Sequence, residues 1–141
     1  MVTMAPRMLD RLRGKRGQAA EGDLFNPDCP TRLVLDQIGD KWTVLVVLLL
    51  SDGTMRFSEL RARIGSVAPK VLTQTLRRME RNGLITREVF AEVPPRVDYT
   101  LTELGHSLID PIAIISDWAE THIHRIVTAQ RSYDATQDGG A

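Results

Sequence analysis

Between residues 69 and 83 the chain reads Pro-Lys-Val-Leu-Thr-Gln-Thr-Leu-Arg-Arg-Met-Glu-Arg-Asn-Gly, with polar residues recurring at three- and four-residue intervals. At about 100° per residue, Lys70, Thr73, Gln74, Arg77 and Arg81 gather on one side of a helix and Val71, Leu72, Thr75, Leu76 and Met79 on the other. Arg and Lys neutralise phosphates, Arg can fork onto the O6 and N7 of guanine, and Gln and Thr hydrogen-bond base edges. Arg78 adds a cation beside this stripe. One face carrying these residue types suits a DNA groove, and the plain alternative is a solvated charged surface.

Other chemistry has thinner support. His122 and His124 stand two apart and diverge on a helix, and Glu103 with His106 offers two ligands where zinc takes three or four. No Ser or Cys stands in a recognisable nucleophile setting, and there is no glycine-rich phosphate loop. No catalytic residue, metal or cofactor is therefore assigned, and an enzyme is not expected. Cys29, the single cysteine, precedes Pro30, which suits the start of a helix over 31–38. A thiol at that positive end is drawn toward thiolate, while the neighbouring Asp28 acts the other way. Cys29 is thus a candidate redox-sensing thiol, with a purely structural cysteine as the alternative.

These side chains need a frame. Upstream, residues 57–64 form a short amphipathic pattern with Phe57, Leu60 and Ile64 inward, followed by a glycine-containing turn over 65–68. Two short helices joined by such a turn, the second bearing the polar stripe, make a helix-turn-helix. Pro69 suits the first helical position, and Gly83 suits the left-handed residue past the last turn. Residues 84–91 have strand composition, and Val97, Tyr99 and Leu101 alternate with polar neighbours. A hairpin there, with a stiff Pro94-Pro95 turn carrying Arg96 at its tip, would complete a winged helix-turn-helix and bring Arg96 beside the backbone or minor groove. The expected class is mainly α with a small β-hairpin wing.

Several unconnected stretches together resemble one family. They are Cys29-Pro30, Ile-Gly-Asp-Lys-Trp-Thr at 38–43, Arg-Phe-Ser-Glu-Leu-Arg at 56–61, Pro-Lys-Val-Leu-Thr-Gln-Thr-Leu at 69–76, Gly83-Leu84, and the run from Val93 to Gly105. In this order they resemble the HxlR-type family of bacterial winged-helix transcriptional regulators, over roughly residues 25–125. The resemblance implies a homodimer on operator DNA and, in some members, a sensing cysteine before the first core helix. One position departs: the family usually has Ser before the proline that opens the recognition helix, and this chain has Ala68, which cannot cap it. Ser66 is a candidate substitute.

The chain has 141 residues, 43% hydrophobic, enough for one compact core. The apolar run over 42–50 is too short for a bilayer and reads as the most buried helix, opened by Asp40 as N-cap. With one cysteine and no secretory signal, a cytoplasmic chain with no membrane association is expected. Net charge is zero, but residues 56–87 carry eight basic against two acidic side chains, and residues 88–141 three against nine. The basic segment coincides with the expected helix-turn-helix, and the local patch rather than the total governs phosphate binding. Three regions are expected: a mobile basic tail over 1–24, a winged helix-turn-helix domain with a C-terminal dimerisation helix over 25–127, and a disordered tail over 128–141.

In the last long segment Thr102 is a plausible N-cap, and Leu104, Leu108, Ile112, Ile115, Ala119, Ile123 and Ile126 line one broad face that Trp118 widens. Pro111 is expected to kink or split this helix. Leu108, Ile112, Ile115, Trp118, Ala119, Ile123 and Ile126 are assigned to dimerisation, the alternative being a helix lying on its own core. The resulting expectation is a sequence-specific regulator, repressor rather than activator, reading an inverted-repeat operator in double-stranded DNA as a homodimer. It would respond to an electrophile or oxidant through Cys29. The alternatives are a winged helix serving as a protein-interaction module, or a regulator triggered by a small molecule with Cys29 structural.

Overall fold

The computed structural model describes residues 30–139; Cys29 and the basic tail over 1–24 lie outside the described residues. Helix α1 (Pro30–Ile38) and helix α2 (Lys41–Leu50) meet at Gly39-Asp40. Asp40 Oδ1 accepts the Trp42 N–H at 3.1 Å, so the expected N-cap is present. Thr43, Val46, Val47 and Leu50 of α2 are buried, but Leu45 and Leu48 are exposed. The helix expected to be the most buried thus contributes four buried side chains to the core while Leu45 and Leu48 leave part of its apolar surface open.

Strand β1 (Met55–Arg56) leads into α3 (Phe57–Ile64), and α4 (Pro69–Arg81) follows the turn. Strands β2 (Ile85–Phe90) and β3 (Arg96–Leu101) form the expected hairpin, with Ile85 opposite Leu101 and Phe90 opposite Arg96. The sheet has a third strand that the alternation did not show: β1 pairs antiparallel with β3, in the order β1-β3-β2. Two residues are too few to carry a period of two. One core, including Leu60, Leu72, Leu76, Met79, Ile85, Leu101 and Ile112, joins α2, α3, α4, the sheet and the last helix.

The C-terminal segment is split, as Pro111 suggested, into α5 (Glu103–His106) and α6 (Ile109–Asp138). The break falls before the proline, which then sits in the first turn of α6, where its missing N–H needs no partner. The disordered tail expected from 128 is corrected, since α6 remains helical to Asp138. Neither Gly nor Pro interrupts residues 112–138, so nothing stops the helix, although every residue from 128 to 139 is exposed.

Thr102 fastens the base of the wing. Its hydroxyl donates to the Gly83 carbonyl at 2.6 Å and accepts the Gly105 N–H at 3.1 Å. Its own N–H donates to the Leu84 carbonyl at 3.0 Å. Gly105 is buried there, and a Cβ at this position would collide with the Leu84 carbonyl oxygen and lie 2.8 Å from Leu101 Cδ2.

Candidate nucleic-acid interface

The turn between α3 and α4 has the form a helix-turn-helix needs. Gly65 takes a positive φ of 74°, Ser66 N–H returns to the Ile64 carbonyl, and Val67 is buried against the core. Pro69 opens α4 as expected, but Ala68 supplies no side-chain cap, and neither Ser66 nor any other side chain takes that place. At the other end Gly83 has φ 75°, with Gly83 N–H bonded to Glu80 O and Leu84 N–H to Met79 O. This pair of bonds is the Schellman closure.

Leu72, Thr75, Leu76 and Met79 are buried, as their spacing required, and Lys70, Gln74, Arg77, Arg78 and Arg81 are exposed. Thr73 is half-buried and turns its hydroxyl back to the Pro69 carbonyl at 2.8 Å, which leaves its lone pairs to a groove. Arg61 and Arg63 of α3 are also exposed. Two members of α4 are already engaged. Arg78 Nη2 lies 3.1 Å from Asp40 Oδ2, and Glu80 Oε2 lies 3.3 Å from Arg87 Nε. Neither pair follows from periodicity: Arg78 and Asp40 stand 38 residues apart and Asp40 reads only as a cap, while Glu80 and Arg87 lie on a helix and a strand whose docking no period encodes.

Arg96 departs from its expected place. It begins β3 rather than crowning the turn, its guanidinium 4.0 Å from the Phe90 ring centroid, in reach of Glu92 at 3.5 Å and Asp98 at 3.4 Å. The Nε–Oδ1 approach to Asp98 meets an ion-pair distance but not hydrogen-bond geometry, so both atoms are buried without a hydrogen-bond partner. The assignment of Arg96 as a free cation at the tip is therefore corrected: acids four residues before and two after it hold its charge where β3 leaves the turn. The tip is Val93, fully exposed, followed by a cis peptide to Pro94.

Tyr99 of β3 lies beneath the junction of α4 and the wing, in a hollow shared with Thr73, Leu76, Arg77, Glu80 and Arg87. Burial pushes its phenol above the ordinary 10.0, Glu80 adds to this, and Arg87 and Arg77 oppose it.

The residues assigned to dimerisation divide. Ile112 is 3% exposed and Leu108 packs against the core, so both belong to the domain's own interior. Ile115 (60% exposed), Trp118 (57%) and Ile123 remain open, joined by Ile114, while Ala119 and Ile126 are half-buried. His122 stacks on Trp118 at 4.8 Å and bonds the Trp118 carbonyl through Nδ1. No helix among the described residues is long and apolar enough to cross a membrane.

Comparison with known proteins agrees with this geometry. The profile of the HxlR-like helix-turn-helix family matches residues 37–127. The HTH-type transcriptional regulator YtfH of Escherichia coli strain K12 is 39% identical over 113 residues, covering 80% of this chain and 90% of that protein. A solved structure designated transcriptional regulator ytfH, from Salmonella typhimurium, superposes with a TM-score of 0.72 at 42% identity, over 79% of this chain and 99% of its own. The redox regulator HypR in its reduced form gives 0.64 at 35% identity, over 70% of this chain and 98% of its own. These relatives are named as transcriptional or redox regulators, and the matching family profile is that of a helix-turn-helix. The chain belongs to the HxlR-like helix-turn-helix family and is a winged helix-turn-helix transcriptional regulator.

Proposed function

We propose that the protein reads an inverted-repeat operator as a homodimer, with α4 of each copy in a major groove and Lys70, Thr73, Gln74, Arg77 and Arg81 turned to the DNA. The observation that carries this is the outward face of α4: exposed, rich in donors, and set in a segment with eight basic residues against two acidic ones. The open face of α6 around Ile115, Trp118 and Ile123 supports pairing of two copies, because apolar patches of this kind mark interaction surfaces. Repression is the simplest output, since a seated dimer blocks a promoter.

Selection on random duplexes tests the reading. An enriched palindromic motif, with half-sites about one helical turn or a multiple apart, is expected. Arg77→Ala should weaken binding by about 1–3 kcal/mol and relax one base position. Selection without a motif, or affinity indifferent to salt, overturns it. The similarity to HypR favours redox responsiveness through Cys29 over a small-molecule trigger. Cys29→Ser should keep operator binding and lose any response to diamide or a quinone. Unchanged affinity at full modification of Cys29, followed by mass spectrometry, overturns that part.

A further inference from the structure

Helix α4 is tied down on both flanks. At about 100° per residue, Lys70, Gln74, Arg77 and Arg81 cluster around one outward direction, with Arg78 about 70° to one side and Glu80 about 90° to the other. Each flanking residue has its partner on a different element. Arg78 meets Asp40, in the junction before α2, at 3.1 Å, and Glu80 meets Arg87 of β2 at 3.3 Å. Asp40 is itself held: Oδ1 takes the Trp42 N–H at 3.1 Å, which fixes the carboxylate before Oδ2 reaches Arg78.

We propose that these two ion pairs set the roll of α4 about its own axis, so that Asp40, Arg78, Glu80 and Arg87 are positioning residues for specificity rather than contacts to DNA. This rests on the groove reading above. The close-packed buried face of Leu72, Leu76 and Met79 fixes the depth of α4 and limits its rotation, and the flanking pairs act on the few degrees of roll that this packing leaves. Two charge pairs on opposite flanks oppose rotation in both senses. The leverage is large: at about 6 Å from the axis, a roll of about 10° carries a side-chain end about 1 Å. That exceeds the width of the distance range over which a hydrogen bond is good. Both pairs are partly exposed, and such pairs contribute little to folding stability. Their effect falls on where Gln74 and Arg77 point.

The test uses the full-length protein, its selected operator and a scrambled duplex of equal length, titrated at several salt concentrations. Variants are D40N, R78Q, the double D40N/R78Q, E80Q and the swap E80R/R87E, each checked for a native melt. Asn caps a helix as well as Asp does, so D40N removes the tie and keeps α2. The operator-to-scrambled affinity ratio is expected to fall about 5-fold in D40N, R78Q and E80Q, no further in the double variant, and to recover in the swap. Charge alone predicts something different for D40N: loss of an acid beside DNA tightens both duplexes equally and leaves the ratio unchanged. An unchanged ratio in D40N and E80Q overturns the proposal. So does an R78Q variant that weakens both duplexes alike and lowers the salt slope by about one, the mark of a phosphate contact. A wild-type protein that selects no motif overturns the groove reading, and the ties with it, whereas an unchanged ratio on a genuine motif overturns the ties alone.

Discussion

Gly105→Ala is the sharpest test of how the wing is joined to the C-terminal helices. The added methyl would strike the Leu84 carbonyl oxygen, sit 3.2 Å from its carbon and approach Leu101 Cδ2 to 2.8 Å. Leu101 is buried in the core, and the Leu84 carbonyl already accepts the Thr102 N–H, so neither can withdraw freely. Overpacking of this kind costs about 1–3 kcal/mol. Loosening the Thr102 bond adds about 1 kcal/mol, and the better helix propensity of alanine returns about 1 kcal/mol. The net loss is about 1–3 kcal/mol, a fall in melting temperature of about 4–12 °C for a domain of this size. Thermal and urea unfolding should be compared at one protein concentration, because association shifts apparent stability. Operator affinity should fall too, since Thr102 holds the Gly83 carbonyl at the end of α4. A Gly105→Ala protein as stable as the parent would refute the reasoning.

Three further outcomes follow from burial and geometry. Ile115→Asp should leave a folded chain that sediments as a monomer, while Ile112→Asp, at a position 3% exposed, should unfold the domain; dissociation without unfolding in both would show that Ile112 is not core. Ala68→Ser should raise stability by about 0.5–2 kcal/mol, because Ala68 already has the extended φ −67°, ψ 142° of an N-cap and lacks only the oxygen; an unchanged melt counts against this. Burial raises the Tyr99 pKa, so the neutral phenol is favoured in the folded state: its contribution is complete below about pH 10 and is lost as pH rises through the higher folded value. Urea midpoints should therefore decline more steeply above about pH 10 in the parent than in Tyr99→Phe, and parallel declines would remove Tyr99 as the cause.

What was legible in the chain depended on the range of the interaction that decided it. Helix α4 could be read almost to its last residue, because a 3.6-residue period, Pro69 and Gly83 are all local signals. The hairpin followed from alternation at Val97, Tyr99 and Leu101 for the same reason. Arg96 was misplaced since its position depends on register with Phe90 and on Glu92 and Asp98 competing for its charge, none of which periodicity encodes. Ile112 and Ile115 carry the same apolar letter on one helical face, and only the packing of α6 on the core separates an interior residue from an open one. The role of Gly105 was invisible too: its backbone is ordinary, and the demand for glycine comes from Leu84, far away in sequence.

The segregation of charge has a consequence for how the molecule meets DNA. Helices α5 and α6 carry Glu103, Asp110, Asp117, Glu120, Asp134 and Asp138 against Arg125 and Arg131, while α3 and α4 carry Arg61, Arg63, Lys70, Arg77, Arg78 and Arg81 against Glu59 and Glu80. A body with no net charge but an uneven distribution of it has little long-range pull toward a polyanion and a strong torque once near one. On the operator reading proposed above, encounters that lead with α6 would be repelled and those that lead with α4 captured, so the acidic helix would act as a rudder that shortens the search for the productive orientation.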